Sequence, residues 1–323
     1  MLASKEDFTK DGHEDNYLIY IEDLMDDINT WCNREYGTFF GKHYLREEIA
    51  VGVKTRATTV AVGSSYAQFG LDEGYYPEMI NLGLESQDPY SSVGLIHAAV
   101  DAIPTVKTVI FVLSHYSLFC DLSLAKSEDQ VDRTYAPLLK DSHNKLILEQ
   151  YQVMPESYYL DTRKIFRMAR AQNHSRGYFS AYHKRTDHLQ GKVWTDYTEA
   201  EKQELAAFQT DKHNKLYNYK ATKAENMQLI RDVVYFLQGR GIKLLLVLPP
   251  MTPEYRQLIR PEFEAEFKEF IPSIGVPVYI LDLYDWDYFE AGDFVDSDHL
   301  NDNGAKKMTE YVQRTVHRIH SSD

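Results

Sequence analysis

Three observations predict a three-layer α/β/α sandwich with a mostly parallel sheet. Short aliphatic and β-branched runs recur at Thr58–Val62, Met79–Leu84, Val106–Leu113, Ile242–Leu248 and Val276–Leu283. Most are nearly continuous in Val, Ile and Leu, as strands covered on both faces should be, rather than alternating as strands with one wet face do. Amphipathic helical patterns lie between them, and this alternation builds parallel sheets with helices on either side.

Taken in order, Asn16 to Trp31 is the first helical pattern, with Tyr17, Leu18, Ile21, Leu24, Met25 and Ile28 on one face. The first strand, Thr58–Val62, runs straight into Gly63-Ser64-Ser65, and the second follows the turn at Pro77. A helix over Ser92–Ala102 and Pro104 precede the third strand. From Ser114 to Ala221 the chain is polar and rich in Tyr, Lys, Asp and His, and Glu199–Lys215 reads as a helix within it. Ala224–Gln238 is helical up to Gly239 and Gly241, and the next strand ends at Pro249-Pro250. A helix over Glu254–Phe270, interrupted by Pro261, leads to the fifth strand. The last helix, Gly304–His320, carries Met308, Tyr311, Val312, Val316 and Ile319 on one side. The expected organisation is a helical extension over residues 1–56 and one α/β domain over 57–323, with a large helical insertion at about 120–221.

Composition narrows the function. With 49 acidic and 35 basic residues the formal charge is −14, which opposes a nucleic-acid or anionic-membrane binder that must neutralise phosphates. Two cysteines, Cys32 and Cys120, exclude a disulfide framework. The longest apolar stretches, Val109–Leu113 and Ile242–Pro250, fall far short of the ~20 residues that span a bilayer. The first residues, MLASKEDFTKDGHEDNYL, are polar and acidic, so a cytoplasmic location is expected.

In an open α/β sheet the functional site lies at the carboxyl ends of the strands, and three segments draw attention there or shortly before the last helix. The first is Val62-Gly63-Ser64-Ser65-Tyr66-Ala67-Gln68-Phe69-Gly70. A serine at a strand-to-helix turn is exposed to substrate, with backbone N–H groups beside it for an oxyanion. Taken alone the segment reads more readily as a plain helix start with Ser64 as N-cap. The second is Asn81-Leu82-Gly83-Leu84, whose glycine permits close backbone approach and is also an ordinary turn. The third is Asp296-Ser297-Asp298-His299-Leu300-Asn301-Asp302-Asn303-Gly304. An acid three residues before a histidine suits an imidazole general base held by a carboxylate. A polar cap explains Asp302 or Asn303 but gives no reason for Asp296 or His299. A metal set of Asp296, Asp298 and His299 uses these residues less completely.

Together these segments resemble the SGNH (GDSL-like) hydrolase superfamily. Gly63 and Ser65 match its Gly-x-Ser block, with Gly70 one residue later than usual; Gly83 matches the second-block glycine; Asp296 and His299 match Asp-x-x-His, followed by Leu300-Asn301. The blocks stand in family order between Val60 and Tyr311. The resemblance implies a flavodoxin-like sheet, Ser65 as nucleophile, His299 as base, Asp296 as its partner, and Ser65 and Gly83 as oxyanion-hole N–H donors. Ser64 stands where the family usually has Asp, as in a "GSS" subgroup that includes cell-envelope polysaccharide-modifying and D-alanyl transfer proteins. The Gly-x-Asn-Asp block is absent: Leu113-Ser114-His115-Tyr116-Ser117 follows the third strand, with Ser114 or His115 as substitute donors. A lost oxyanion donor costs ~10²–10³ in turnover, so a substitute exists or the protein is slow, specialised or inactive.

The expected activity is serine-dependent ester hydrolysis through an acyl-enzyme, with a carbohydrate ester as substrate and Ser64, Tyr66 and Tyr116 binding it. No metal or cofactor is needed, because nucleophile and donors are protein groups. Twenty-four tyrosines and 13% aromatics, among them Tyr66, Tyr90, Tyr116, Tyr158, Tyr159, Tyr178 and Tyr182, favour a glycan, although any one ring is as well explained by packing. O-acyl transfer to a glycan is the close alternative, and a degenerate binder of a glycan or partner is the competing class. A nucleotide-binding reading fails because Gly63-Ser64-Ser65 lacks the glycines and lysine of a phosphate loop. His183-Lys184-Arg185-Thr186-Asp187-His188 has metal-binding residue types without a partner pair at zinc spacing and reads as insertion surface.

Overall fold

The computed structural model describes residues 37–124, 143–144 and 193–321. The expected helix at Asn16–Trp31, the His183–His188 segment and Tyr158, Tyr159, Tyr178 and Tyr182 lie outside them. Five strands form one parallel sheet: β1 Thr59–Gly63, β2 Met79–Asn81, β3 Thr108–Val112, β4 Lys243–Leu248 and β5 Tyr279–Asp282, in the order β2-β1-β3-β4-β5. The helices are α1 Gly37–Thr55, α2 Ser65–Gly70, α3 Pro89–Ala102, α4 Glu199–Lys215, α5 Lys220–Gly239, α6 Pro253–Leu258, α7 Pro261–Ser273 and α8 Asp302–Ser321.

The two-residue period of a strand divides the core between the two faces. Val60, Val62, Val109, Phe111, Leu244 and Leu246 point to one side and meet Leu45 of α1, Leu95 and Ile96 of α3, Ile230 and Val233 of α5 and Phe263 and Phe267 of α7. Ala61, Ile110, Val112, Leu245 and Val247 point to the other and meet Ala67 of α2 and Met308, Val312 and Val316 of α8. That is the three-layer sandwich expected from the apolar runs, in the strand order of a flavodoxin-like sheet.

Several boundaries differ from the sequence reading. The second and fifth strands are shorter than their apolar runs: residue pairing covers Met79–Asn81 and Tyr279–Asp282, although the Leu82 and Leu84 N–H groups still donate to the Ala61 and Gly63 carbonyls of β1. Pro261 divides the expected Glu254–Phe270 helix into α6 and α7, since a proline ring fits only the first turn of a helix. The last helix begins at Asp302, and its cap is Asn301, whose Oδ1 accepts the N–H groups of Asn303 (2.9 Å) and Gly304 (3.0 Å). Asp302 and Asn303 are therefore inside the helix rather than its cap. No helix among the described residues is long and apolar enough to cross a membrane.

Candidate active site

β1 ends in a backbone feature that only glycine supports. Gly63 has φ +142°, and a Cβ there would lie 2.5 Å from the Val112 carbonyl oxygen. The turn delivers Ser64 to the N-cap position of α2, where its side chain makes no capping bond, and Ser65 to the first helical position. Ser65 thus stands at the carboxyl edge of the sheet, where β1 and β3 meet.

His299 arrives from a loop pinned at both ends. Phe294 and Leu300 form an antiparallel bridge, Val295 N–H donates to the His299 carbonyl (3.0 Å), and Thr252 Oγ1 donates to the Ser297 carbonyl (2.7 Å). Within it, Asp296 Oδ1 accepts the backbone N–H groups of His299 (2.7 Å) and Asp298 (3.1 Å). Both Asp296 oxygens lie 3.0 Å from His299 Nδ1, and His299 Nε2 lies 2.8 Å from Ser65 Oγ. With the Nδ1 proton donated to Asp296, Nε2 keeps its lone pair and accepts the Ser65 hydroxyl proton. The structure therefore brings Ser65, His299 and Asp296 into one hydrogen-bonded chain.

Ser65 and His299 open on a cavity of about 560 Å³ whose lining includes Ser64, Tyr66 and Tyr116. Those are the three residues read as substrate-binding. The opposite wall comes from α4 and the turn after it: Gln209, Lys212, His213, Leu216 and Tyr219. Burial, followed by the charges of His299 and Lys212, pushes His213 down to about 3, so its ring is neutral. Cys120 also lines the cavity, but burial pushes its thiol up, which removes the thiolate that a nucleophile needs.

The expected oxyanion donors are placed unevenly. Ser65 N–H heads α2, where backbone donors have no partner within the helix. Gly83 packs tightly on α2, and a Cβ there would lie 2.6 Å from that of Ala67; its N–H donates to Asn81 Oδ1 at 3.0 Å. Asn81 in turn ties β2 to α2 by donating to the carbonyls of Ala67 and Leu71. Ser114 and His115 are not brought to the serine. The Ser114 hydroxyl and N–H both bond Ser117 Oγ, at 2.9 and 3.0 Å. His115 turns to a separate cavity of about 240 Å³ beside Met251, Tyr255 and Tyr284, with Tyr116 shared between the two cavities.

Two groups among the described residues have potential metal-ligating atoms within 4.8 Å of one another: Asp121, His143 and Glu225, and Asp296, Asp298 and His299. In the second, both Asp296 oxygens lie at hydrogen-bond distance, 3.0 Å, from His299 Nδ1. In the first, His143 lies flat on Tyr90, with ring centroids 3.8 Å apart, and Asn144 donates to Asp121 at 2.8 Å.

Sequence reasoning missed Gln209, His213 and the placement of Asp298. The α4 sequence carries no signal for the pair: only the structure shows Ala206 and Thr210 buried and Gln209 and His213, at i and i+4, lining the cavity beside them.

A profile of an uncharacterised protein family matches residues 174–321. No curated protein matches the chain. Among solved structures, a Bacteroides fragilis protein named as a candidate acylhydrolase is similar over 81% of this chain and 86% of its own, at 10% identity and a TM-score of 0.34. So slight a likeness bears on neither mechanism nor substrate.

Proposed function

We propose that the protein is a serine-dependent ester hydrolase that works through an acyl-enzyme and removes an acyl group from a carbohydrate. The observation that carries this reading is the Ser65 Oγ–His299 Nε2 contact of 2.8 Å with Asp296 on the opposite ring nitrogen. A helix cap needs none of the three. Ser65 Oγ attacks the ester carbonyl while its proton passes to His299 Nε2, and Asp296 stabilises the imidazolium. The oxyanion faces Ser65 N–H at the start of α2. Collapse of the tetrahedral intermediate transfers the Nε2 proton to the leaving sugar oxygen. Water then gives a proton to Nε2 and attacks the acyl carbonyl, and collapse of this second intermediate returns the proton to Ser65 Oγ and releases the carboxylic acid. No step calls for a metal.

The sugar part of the substrate rests on the cavity: Tyr66, Tyr116 and Tyr219 supply flat faces, and Glu85, Gln87 and Gln209 supply groups that bond hydroxyls. Transfer to a second hydroxyl in place of water uses the same residues and is the alternative outcome. Incubation with acylated sugars and with p-nitrophenyl acetate tests the reading. Release of free acid by the wild type, with none above background from Ser65→Ala, is expected. Acid release unchanged in Ser65→Ala rules the reading out, and acyl-sugar exchange without free acid converts it to a transferase.

A further inference from the structure

Asp298 is a buried carboxylate that the serine mechanism leaves unused. Its side chain is 1% exposed, and its Oδ1 lies 3.6 Å from His299 Nδ1, on the same nitrogen that Asp296 occupies. Three neutral donors converge on it: Tyr66 Oη–H at 2.7 Å and Gln209 Nε2–H at 3.3 Å to Oδ2, and Ser297 Oγ–H at 3.1 Å to Oδ1. A carboxylate buried among neutral donors is costly to retain unless its charge is used.

The same donors belong to the cavity. Tyr66 stacks on the His299 ring, with centroids 5.2 Å apart and planes at 27°, and its hydroxyl also meets Tyr116 Oη at 2.8 Å. Tyr116 stacks on His213 at 4.0 Å, and His213 Nε2 lies 3.4 Å from Gln209 Nε2. Asp298, Tyr66, Tyr116, His213 and Gln209 therefore close a ring, and all but Asp298 line the serine's cavity.

We infer that Asp298 is a positioning residue for the base, a second carboxylate that raises the basicity of His299 and links it through Tyr66 and Gln209 to the wall on which substrate rests. The inference builds on the reading of His299 as the base. The charged and titratable groups facing Asp298 are His299 and Asp296 on its own loop, Tyr66 on α2, Tyr116 after β3 and Tyr255 on α6, with His213 of α4 beyond Gln209. Burial, then the charge of Asp298, holds the Tyr66 phenol well above its ordinary range, so Tyr66 remains a donor. Burial and the neighbouring Asp296 charge raise the Asp298 carboxyl, while His299, Tyr66 and Gln209 work in the opposite direction. Its anion favours the imidazolium, so removing the charge lowers the pH at which His299 gains a proton.

The test is an NMR titration of the His299 imidazole in the full chain, wild type against Asp298→Asn, read beside the pH dependence of fluorophosphonate labelling of Ser65. The expected result is a downward shift of about one pH unit or more in the His299 midpoint, a charge this close having at least that effect. The acid limb of labelling should move the same way. Tyr66→Phe, which keeps the ring stack and removes one donor, should shift the midpoint in the same direction by less, and it carries the test if Asp298→Asn does not fold. A His299 midpoint identical in wild type and variants overturns the inference, leaving Asp298 a packing residue. Labelling failure with the NMR shift present would instead overturn the hydrolase reading and leave the coupling intact.

Discussion

The Asp296–His299 loop and helix α4 approach the same serine but are built differently. The loop is held largely by short-range bonds: the Asp296 side chain caps two N–H groups within three residues and a bridge closes it between Phe294 and Leu300, with Thr252 tying it from outside. Helix α4 reaches the site by packing on α6, and its polar side chains bond across elements, His213 Nδ1 lying 2.6 Å from Tyr255 Oη of α6 and Gln209 donating to Asp298 at 3.3 Å. Geometry set within a few residues survives changes elsewhere in the chain, whereas geometry set by docking two helices adapts to what lies between them. The first suits proton transfer, and the second suits recognition.

Substitutions can sharpen or break that contrast. The largest effects belong to the chain of hydrogen bonds. Ser65→Ala and His299→Ala should reduce ester turnover to background, and Asp296→Asn should lower kcat by about 10⁴-fold with KM little changed. A steady-state comparison in which Asp296→Asn loses less than tenfold would remove the carboxylate from the mechanism.

Gly63→Ala comes next. It puts a Cβ at φ +142° and 2.5 Å from a strand carbonyl, so it should cost about 2–4 kcal/mol of stability by urea unfolding. On the α4 side, Gln209→Leu should act on KM more than on kcat, because Gln209 faces the cavity and does not touch the reacting atoms. An equal loss in both constants would move α4 from recognition into catalysis.

His213 predicts a pH effect on stability. Above its ordinary value of 6.5 the ring is neutral in folded and unfolded chains alike. As pH falls from there towards about 3, the unfolded chain takes up a proton that the folded ring refuses, and stability drops. His213→Gln should flatten part of that slope in thermal melts recorded from pH 7 to pH 4. The rest belongs in part to His115, which burial also lowers. The smallest effect is expected of Cys120→Ser, which should leave turnover within about twofold because the thiol is not a nucleophile.

Legibility in the sequence follows the same division. The strands announced themselves because burial on both faces leaves continuous apolar runs, as at Val109–Val112 and Leu244–Leu248. Gly63, Ser65, Asp296 and His299 were legible because their geometry is local: a turn that requires glycine and an acid three residues before its imidazole. Ser114 and His115 were expected to serve Ser65 because they end the neighbouring strand. A strand end fixes where the chain emerges and not where a side chain turns, and His115 faces the opposite way, against Phe267 and Tyr284. The α4 wall was hidden for another reason. Gln209 and His213 lie about 90 residues from the loop they meet, and nothing in the helix's own periodicity marks a polar pair as buried against it. Asp298 stood in plain view between Ser297 and His299, but its donors come from α2 and α4, which only the fold brings together.

The central claim is that Ser65 is an activated nucleophile. Fluorophosphonate labelling of the purified protein, with the modified residue located by mass spectrometry, tests it most directly. The account predicts one label per chain on Ser65, lost in His299→Ala. A folded protein that takes no label, or takes it on Ser64 with Ser65 untouched, would contradict it.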